Sequence, residues 1–213
     1  MIQKDVNNWY KFDFKGVGSY GMPLINPEIV QINKIIPFNY AKSCRVPENT
    51  GVHFFLHDYQ FERVWNNPER YMRMLRKFDF VCTPDFSLYM DYLLAMQIYN
   101  HYRKQWLGAY WQAFGLQVVP TVSWSKEDSY KWCFDGLPDH GAVAISSVGC
   151  LKNENTKANF LKGYKVMRER LKPEQILFYG NIPGEIADPV IRLGSFQENF
   201  NEIRGKAWAE EVQ

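Results

Sequence analysis

The sequence predicts an α/β protein in which parallel strands alternate with helices. Short apolar runs recur after residue 50; each run ends in a polar or acidic residue and is followed by a helical stretch. The clearest runs are VHFFL, FVCTP, VVPTV, AVAIS and ILFY. Strands that alternate with helices indicate βαβ units and therefore a parallel sheet. Ligands of such sheets bind beyond the carboxyl ends of the strands.

The first part of the chain has a different pattern from the rest. Residues 1–50 combine polar and aromatic residues with turn signals and four prolines. They predict an irregular N-terminal arm packed on the core, with short strands at IVQIN and KIIPF. Residues 51–213 predict a single α/β domain with a C-terminal helical tail, because 213 residues suit one domain of ordinary size.

Capping and turn residues delimit the elements of this domain. Asn67 followed by Pro68 predicts a helix start, and Gly115 and Pro173 predict the ends of the next two helices. Pro120 cannot donate to a strand ladder, so it indicates an edge strand or a bulge. The expected strands are residues 53–56, 80–83, 117–122, 142–146, 175–179 and 190–193, and the two longer helices are about 92–114 and 156–171.

The number and spacing of the strands favour a small or incomplete TIM-barrel-like fold. Five or six strands are expected after residue 50, and seven or eight with the arm. A full eightfold barrel usually takes about 250 residues, more than the 213 of this chain. An open doubly wound sheet is the alternative.

Composition limits the classes of partner. The net charge of +2 and the pI of about 8.2 are too mild to indicate nucleic acid, and the basic clusters at 70–77 and 162–172 carry the periodicity of solvated helix faces. The four cysteines form no close-spaced pair, so neither a zinc framework nor a redox motif is indicated. No apolar stretch approaches the roughly 20 residues that span a bilayer, which predicts a cytoplasmic protein with no membrane partner.

A glycine motif at residues 16–21 matches the dinucleotide-binding fingerprint by letter only. That fingerprint needs a helix immediately after the glycines, so that the pyrophosphate meets the helix N-terminus. Pro23 and Pro27 follow here, and two prolines so close together argue against a helix. The motif therefore predicts a glycine-rich turn.

Two acidic residues follow predicted strands and are the candidate catalytic groups. Asp58, next to His57, and Asp85 both lie just past a strand end, so their carboxyls are expected within about 10 Å of each other, a span that one ligand can bridge. Such a pair suits general acid and base catalysis or a divalent metal. The alternative is that each carboxylate caps the following helix, and that His57 is a structural histidine.

Other strand ends supply candidate ligand-binding residues. Trp124 and Tyr179 are placed to stack on a flat ligand. Ser147 and Cys150 lie in a turn whose N–H groups suit an anion, and Asn181 follows the next strand. Cys150 is also a candidate nucleophile, although no sequence signal supplies its base.

Several long strings resemble a family found in bacteriophages, prophages and plasmids and catalogued only as a domain of unknown function. The strings are DYQFERVW, NPERY, TPDFSLY, LGAYWQ and VPTVSW, and the resemblance runs from about residue 20 to residue 180. It implies a mobile-element protein that acts inside a bacterial cell. It carries no established activity, so no catalytic residue can be transferred from it.

Three functions remain open on the sequence alone. The first is a binding protein for a nucleotide-like or other small polar ligand, with counter-defence as one use. The second is a hydrolase or transferase that acts on a nucleotide or nucleic acid through Asp58 and Asp85. The third is an accessory protein that binds another protein through the arm and the charged tail.

Overall fold

The computed structural model describes residues 7–8 and 10–194, and the predicted C-terminal helical tail lies outside these residues. Parallel strands alternate with helices, as the sequence predicts. The strands are β1 Gly16–Val17, β2 Met22–Pro23, β3 Ile35–Pro37, β4 Gly51–His53, β5 Phe80–Cys82, β6 Val118–Val119, β7 Ala142–Ser146, β8 Gln175–Tyr179 and β9 Ile191–Leu193. The α-helices are α1 Glu62–Asn66, α2 Pro68–Leu75, α3 Leu94–Ala113 and α4 Glu154–Leu171. Short 3-10 helices occupy Phe38–Ser43, Pro47–Asn49, Asp58–Gln60 and Glu127–Lys131.

The parallel strands form a four-stranded sheet in the order β3-β4-β5-β6 and a three-stranded sheet in the order β7-β8-β9. Pro120 lies at the junction between them. Ladder pairing stops at Val119, and Pro120 keeps only its carbonyl, which accepts from the N–H of Ala144 at 2.9 Å. Thr121 then forms an isolated parallel bridge with Ala144. The strands therefore follow one another in chain order across both sheets, and the missing N–H of Pro120 interrupts the ladder.

Contacts between distant strands show that this array of strands is strongly curved. In a flat sheet, β4 and β8 would lie about 19 Å apart, which is four steps of about 4.8 Å. Yet the ring of Phe55, just after β4, stacks on that of Tyr179 with centroids 5.1 Å apart. At the opposite ends of the strands, the amide of Gln175 exchanges two hydrogen bonds with the backbone of Val30. Among the described residues no ladder joins β3 to β9.

Alternating side chains divide the core into layers. Val143 and Ile145 pack with α4, whereas Ala142 and Ala144 join a cluster that contains no helix residue. This second cluster receives side chains from strands of both sheets and fills the concave face. The outer face of the four-stranded sheet packs against α1, α2 and α3. Successive side chains of a strand point to opposite faces of the sheet, so a sheet covered on both faces buries both sets of side chains.

The first fifty residues contribute to the sheet. KIIPF supplies β3, which pairs in parallel with β4. The expected strand at IVQIN is wrong, since residues 29–33 form no strand; Val30 instead bonds the Gln175 side chain. The glycine motif forms the antiparallel β1–β2 hairpin, with Gly18 and Gly21 at positive φ. It is therefore a turn, with no helix after it.

Several predicted boundaries need small corrections. β4 lies earlier than the expected strand 53–56 and ends at His53, where the ring Nδ1 accepts from the N–H of Phe55 and turns the chain. β6 is shorter than expected, because Pro120 ends it. α4 begins two residues earlier than predicted, because Asn153 and Thr156 form a capping box. Asn67 caps α2 as expected, accepting from the N–H of Arg70. No helix within 10–194 is long and apolar enough to cross a membrane.

Candidate functional site

A cavity of about 740 Å³ opens at the carboxyl ends of the parallel strands. Its wall comes from the segments after β4, β5, β6 and β7, from Tyr179 in β8 and from the first turns of α4. The lining residues are Phe55, Leu56, His57, Gln60, Asp85, Ser87, Leu88, Tyr89, Met90, Val122, Ser123, Trp124, Ser146, Val148, Gly149, Cys150, Lys152, Thr156, Asn159, Phe160 and Tyr179. The volume falls within the roughly 300–1,000 Å³ of small-molecule sites.

Asp85 is the acidic side chain among these lining residues. Burial raises the pKa of Asp85 to about 6, with a further upward contribution from Asp58, while Lys104 and a hydrogen bond from Ser123 act in the opposite direction. The side chain is half-buried. Asp85 is therefore largely ionised at pH 7, and it takes up a proton when the pH falls to about 6.

Lys104, on α3, provides the charge that faces Asp85. It is completely buried, and its Nζ donates to the Oγ of Ser123 at 2.9 Å. Burial lowers the pKa of Lys104 to about 8, and the nearby Asp85 carboxylate opposes that shift. Asp85, Ser123 and Lys104 therefore form a hydrogen-bonded chain from the cavity into the core.

Sequence reasoning missed Lys104, although a signal was present. Gln97, Asn100, His101 and Lys104 fall at i, i+3, i+4 and i+7 of α3, and all four are buried. A polar stripe with this spacing on a helix that packs against a sheet marks a buried polar network.

Asp58 lies behind the cavity wall. Its carboxylate accepts the backbone N–H of Ser87 at 3.1 Å and the Ser87 hydroxyl at 2.8 Å. The carbonyl of Ser87 accepts in turn from Asn100 on α3. Asp58 therefore fixes the loop after β5. It is the first residue of the 3-10 helix Asp58–Gln60, but both of its carboxylate oxygens accept from Ser87 rather than from an N–H of that helix. Its charge reaches Asp85, whose pKa it raises.

His57 lies exposed at the rim of the cavity, with its ring 6.1 Å from that of Tyr59. The buried histidines are His53 and His101, and burial lowers the pKa of each to about 3. Both are therefore neutral at pH 7. His57 is the imidazole among the lining residues.

Trp124 and Tyr179 both line the cavity, one after β6 and one at the end of β8, with β7 between them. The Trp124 ring packs 5.4 Å from that of Phe160 on α4. Gly163 of the same helix makes room for the indole, because a Cβ there would lie 2.1 Å from Nε1. Both aromatic side chains are half-buried.

The turn after β7 is bonded to the segment after β8. The Ser147 hydroxyl donates to the carbonyl of Asn181 at 2.7 Å. Neither residue is part of the lining, and Ser146 lines the cavity instead. Cys150 does line it, but burial and the charge of Asp85 raise its pKa, which disfavours the thiolate that a nucleophile needs.

Within residues 7–8 and 10–194, no group of three or more His, Cys, Asp or Glu side chains is placed to hold a metal ion. Glu185, a further acid in the loop after β8, pairs with Lys157 at 2.7 Å.

Fold and cavity together define an α/β protein with a small-molecule-sized cavity at the carboxyl ends of its parallel strands. Residues 14–197 match the family model described as Domain of unknown function (DUF4417), and the chain belongs to that family. The resemblance predicted from the sequence strings is thereby confirmed.

Two curated relatives are bacteriophage proteins. The chain is 35% identical over 206 residues to the Gene 1 protein of Mycobacterium phage D29, covering 94% of this chain and 76% of that protein. It is 34% identical over 174 residues to the Gene 1 protein of Mycobacterium phage L5, covering 81% and 76%. No solved structure matches the chain.

Proposed function

We propose that this protein binds a small, planar, polar ligand of the nucleotide type in the cavity at its strand ends. One observation carries the proposal: an aromatic-walled cavity of about 740 Å³ contains one carboxylate with a raised pKa, supported from the core by Lys104. Small-molecule sites are mostly apolar clefts in which a few polar groups converge, and perturbed pKa values concentrate in such sites.

The fold inferred for the site is an incomplete barrel. The consecutive parallel order of β3 to β9 supports it, as do the Phe55–Tyr179 contact and the Gln175–Val30 hydrogen bonds. A sheet curved in this way brings its strand ends around one mouth, so residues from β4 and β8 can contact the same ligand.

The lining suggests how a nucleotide would lie. Trp124 and Tyr179 offer aromatic faces for a base, and Asp85 offers an acceptor for its polar edge. Lys152 lies exposed at the rim and is the only lysine or arginine among the lining residues. Its ammonium group suits a phosphate. Base–aromatic stacking contributes about 1–3 kcal/mol per base in single-strand-binding proteins.

The relatives in mycobacteriophages support a role inside an infected bacterial cell. A phage protein that captures a nucleotide without strong net charge suits the sequestration of a signalling nucleotide, and counter-defence is the use that we propose. The formal charge of +2 argues against nucleic acid as the main ligand.

Calorimetric titration of the four ribonucleoside monophosphates tests the proposal. Trp124→Ala should weaken binding about tenfold or more, because one stacking face is lost and 1.4 kcal/mol is a factor of ten. The control is Tyr20→Ala, which removes an exposed aromatic in the β1–β2 region away from the lining. Equal affinities for wild type and Trp124→Ala would make Trp124 a packing residue, and the absence of any nucleotide binding would reject the proposal.

A second candidate, a hydrolase or transferase, is favoured by the pKa of Asp85. A carboxyl with a pKa of about 6 suits proton transfer near neutral pH, and Ser123 places a hydroxyl beside it. Mass spectrometry of nucleotides incubated with wild type and Asp85→Asn separates the candidates. Turnover by wild type and its loss in the variant would establish an enzyme, whereas unchanged nucleotides that still bind would leave the binding function.

A further inference from the structure

The two serine hydroxyls on the β5 and β6 side of the cavity, those of Ser87 and Ser123, donate their protons to groups within the protein. Ser87 donates its hydroxyl and its backbone N–H to Asp58. Ser123 accepts from Lys104 and hydrogen-bonds to Asp85, and since the ionised carboxylate has no proton, the proton in that bond belongs to Ser123. Asp85 itself is an acceptor at pH 7. This side therefore offers a ligand lone pairs and few protons.

The α4 side of the cavity has the same bias. The Thr156 hydroxyl donates to the carbonyl of Asn153 at 3.0 Å, and the Asn159 amide donates to the carbonyl of Ser125 at 2.9 Å. The thiol of Cys150 donates a weak hydrogen bond to the carbonyl of Val148. Ser146 and Lys152 are the exceptions. The oxygen of Ser146 accepts from the N–H of Val148, which leaves its own proton for a ligand, and the ammonium group of Lys152 is exposed at the rim.

The edge of a ligand that meets Asp85 must therefore bring donors to it. A buried acceptor left without a partner costs about 1–3 kcal/mol, and a carboxylate accepts two parallel N–H bonds particularly well. Guanine presents a ring N–H and an exocyclic amino group side by side. Adenine presents a ring-nitrogen lone pair beside its amino group, and uracil flanks its single N–H with two carbonyl oxygens, which an anionic carboxylate repels.

We propose that the cavity selects a guanine-type base, with the Asp85 carboxylate accepting its ring N–H and its exocyclic amino group. The inference rests on the proposed nucleotide binding and specifies the ligand class of that site. Trp124 or Tyr179 supplies the stacking face, and the Ser123–Lys104 chain fixes the carboxylate.

Comparing GMP with IMP provides the sharpest test, because inosine differs from guanosine only by the missing exocyclic amino group. Calorimetric titration at pH 7.5 should give GMP the tightest binding, IMP about tenfold weaker, and AMP and UMP weaker than GMP, by the scale of bidentate base contacts. Asp85→Asn should remove the GMP preference over IMP, since an amide offers one acceptor and one donor. Asp91→Asn, an equal charge change at an exposed residue of the same loop outside the lining, should retain it.

A pH series on the wild type tests the same contact without a variant. The titratable groups that face Asp85 are Lys104 on α3, Asp58 ahead of α1 and Cys150 after β7. The ratio of GMP to IMP affinity should fall toward one between pH 7.5 and pH 5, as the carboxylate gains a proton. The titration of the phosphate near pH 6 cancels in this ratio.

The outcomes separate the inference from the proposed function. Equal binding of all four nucleotides, tighter binding of UMP, or a GMP preference that persists at pH 5 would overturn the guanine inference and leave nucleotide binding intact. No binding of any nucleotide to the wild type would overturn both.

Discussion

The two sides of the cavity are built by different chemistry. On the side of β4, β5 and β6, charged side chains are buried and bonded to one another through α3: Asp85 reaches Lys104 through Ser123. On the side of β7 and β8, Lys152 is exposed at the rim, and the buried polar groups are neutral and bond to the backbone, as Ser147 does to Asn181. The first side therefore supplies charge, and the second supplies shape.

This difference bears on what each side contributes to stability. Buried ion pairs are weak evidence for stability, because the loss of hydration offsets much of their attraction. A side built only for stability would resemble the β7–β8 side, where apolar packing and backbone bonds suffice. We therefore propose that a ligand accounts for the charges around Asp85.

The largest expected effect is on the charged side. Lys104→Met leaves the Asp85 carboxylate without its buried counter-charge, so we expect a loss of about 3–5 kcal/mol in the free energy of unfolding at pH 7. Urea denaturation measures it. The double variant with Asp85→Asn should recover more than half of the loss, because no uncompensated charge then remains.

Lys165→Met is the matched control for this prediction. Lys165 is exposed on α4, and its Nζ lies 3.9 Å from Oε1 of Glu169. The loss of this exposed ion pair should change the free energy of unfolding by less than about 0.5 kcal/mol. A Lys104→Met loss as small as the control would mean that Lys104 does not compensate Asp85, and the two sides would then not differ as described.

The pH dependence of stability is the next effect in size. Because the folded-state pKa of Asp85 is about 6, above its usual 3.8, the folded protein holds a proton that the unfolded chain releases. The contribution of Asp85 to stability is therefore largest below pH 4 and is lost as the pH rises through 6.

Relative to Asp85→Asn, the wild type should lose about 2 kcal/mol between pH 4 and pH 7, at about 1.4 kcal/mol per pKa unit reduced for partial exposure. Denaturation midpoints of both proteins across this range measure the difference. A constant difference between them would show that the Asp85 carboxyl has an ordinary pKa.

A smaller effect is expected where the two sides meet. Gly163→Ala on α4 would place a Cβ 2.1 Å from the Trp124 indole, so the indole must shift toward the cavity. We expect a loss of about 1–3 kcal/mol in stability, typical of overpacking, together with weaker nucleotide binding. Gly184→Ala is the control, since its Cβ would meet nothing within 4 Å. A stabilised Gly163→Ala protein would mean that this contact is loose.

The sequence predicted the parallel strands and the location of the cavity better than the contacts inside it. Alternation of apolar runs with helices was enough for β7 and β8, whose bounds are those expected. It could not distinguish Ser146, which lines the cavity, from Ser147, which faces the backbone, because a one-residue change reverses the face of a strand. Nor could the sequence pair Asp85 with Lys104. Asp85 lies in a loop and Lys104 lies on a helix nineteen residues later, and only the folded structure brings the two charges together.

The smallest expected effect is on the neutral side. Burial and the charge of Asp85 raise the pKa of Cys150, so alkylation by iodoacetamide at pH 7 should be slower for Cys150 than for a free cysteine derivative, and should accelerate with rising pH. Peptide mass spectrometry after timed quenching follows this thiol separately from the other three. Cys150→Ala should change nucleotide affinity less than about twofold, because the thiol already bonds a backbone carbonyl. Rapid alkylation at pH 7 would place a thiolate in the cavity and give the β7 side a negative charge next to Asp85.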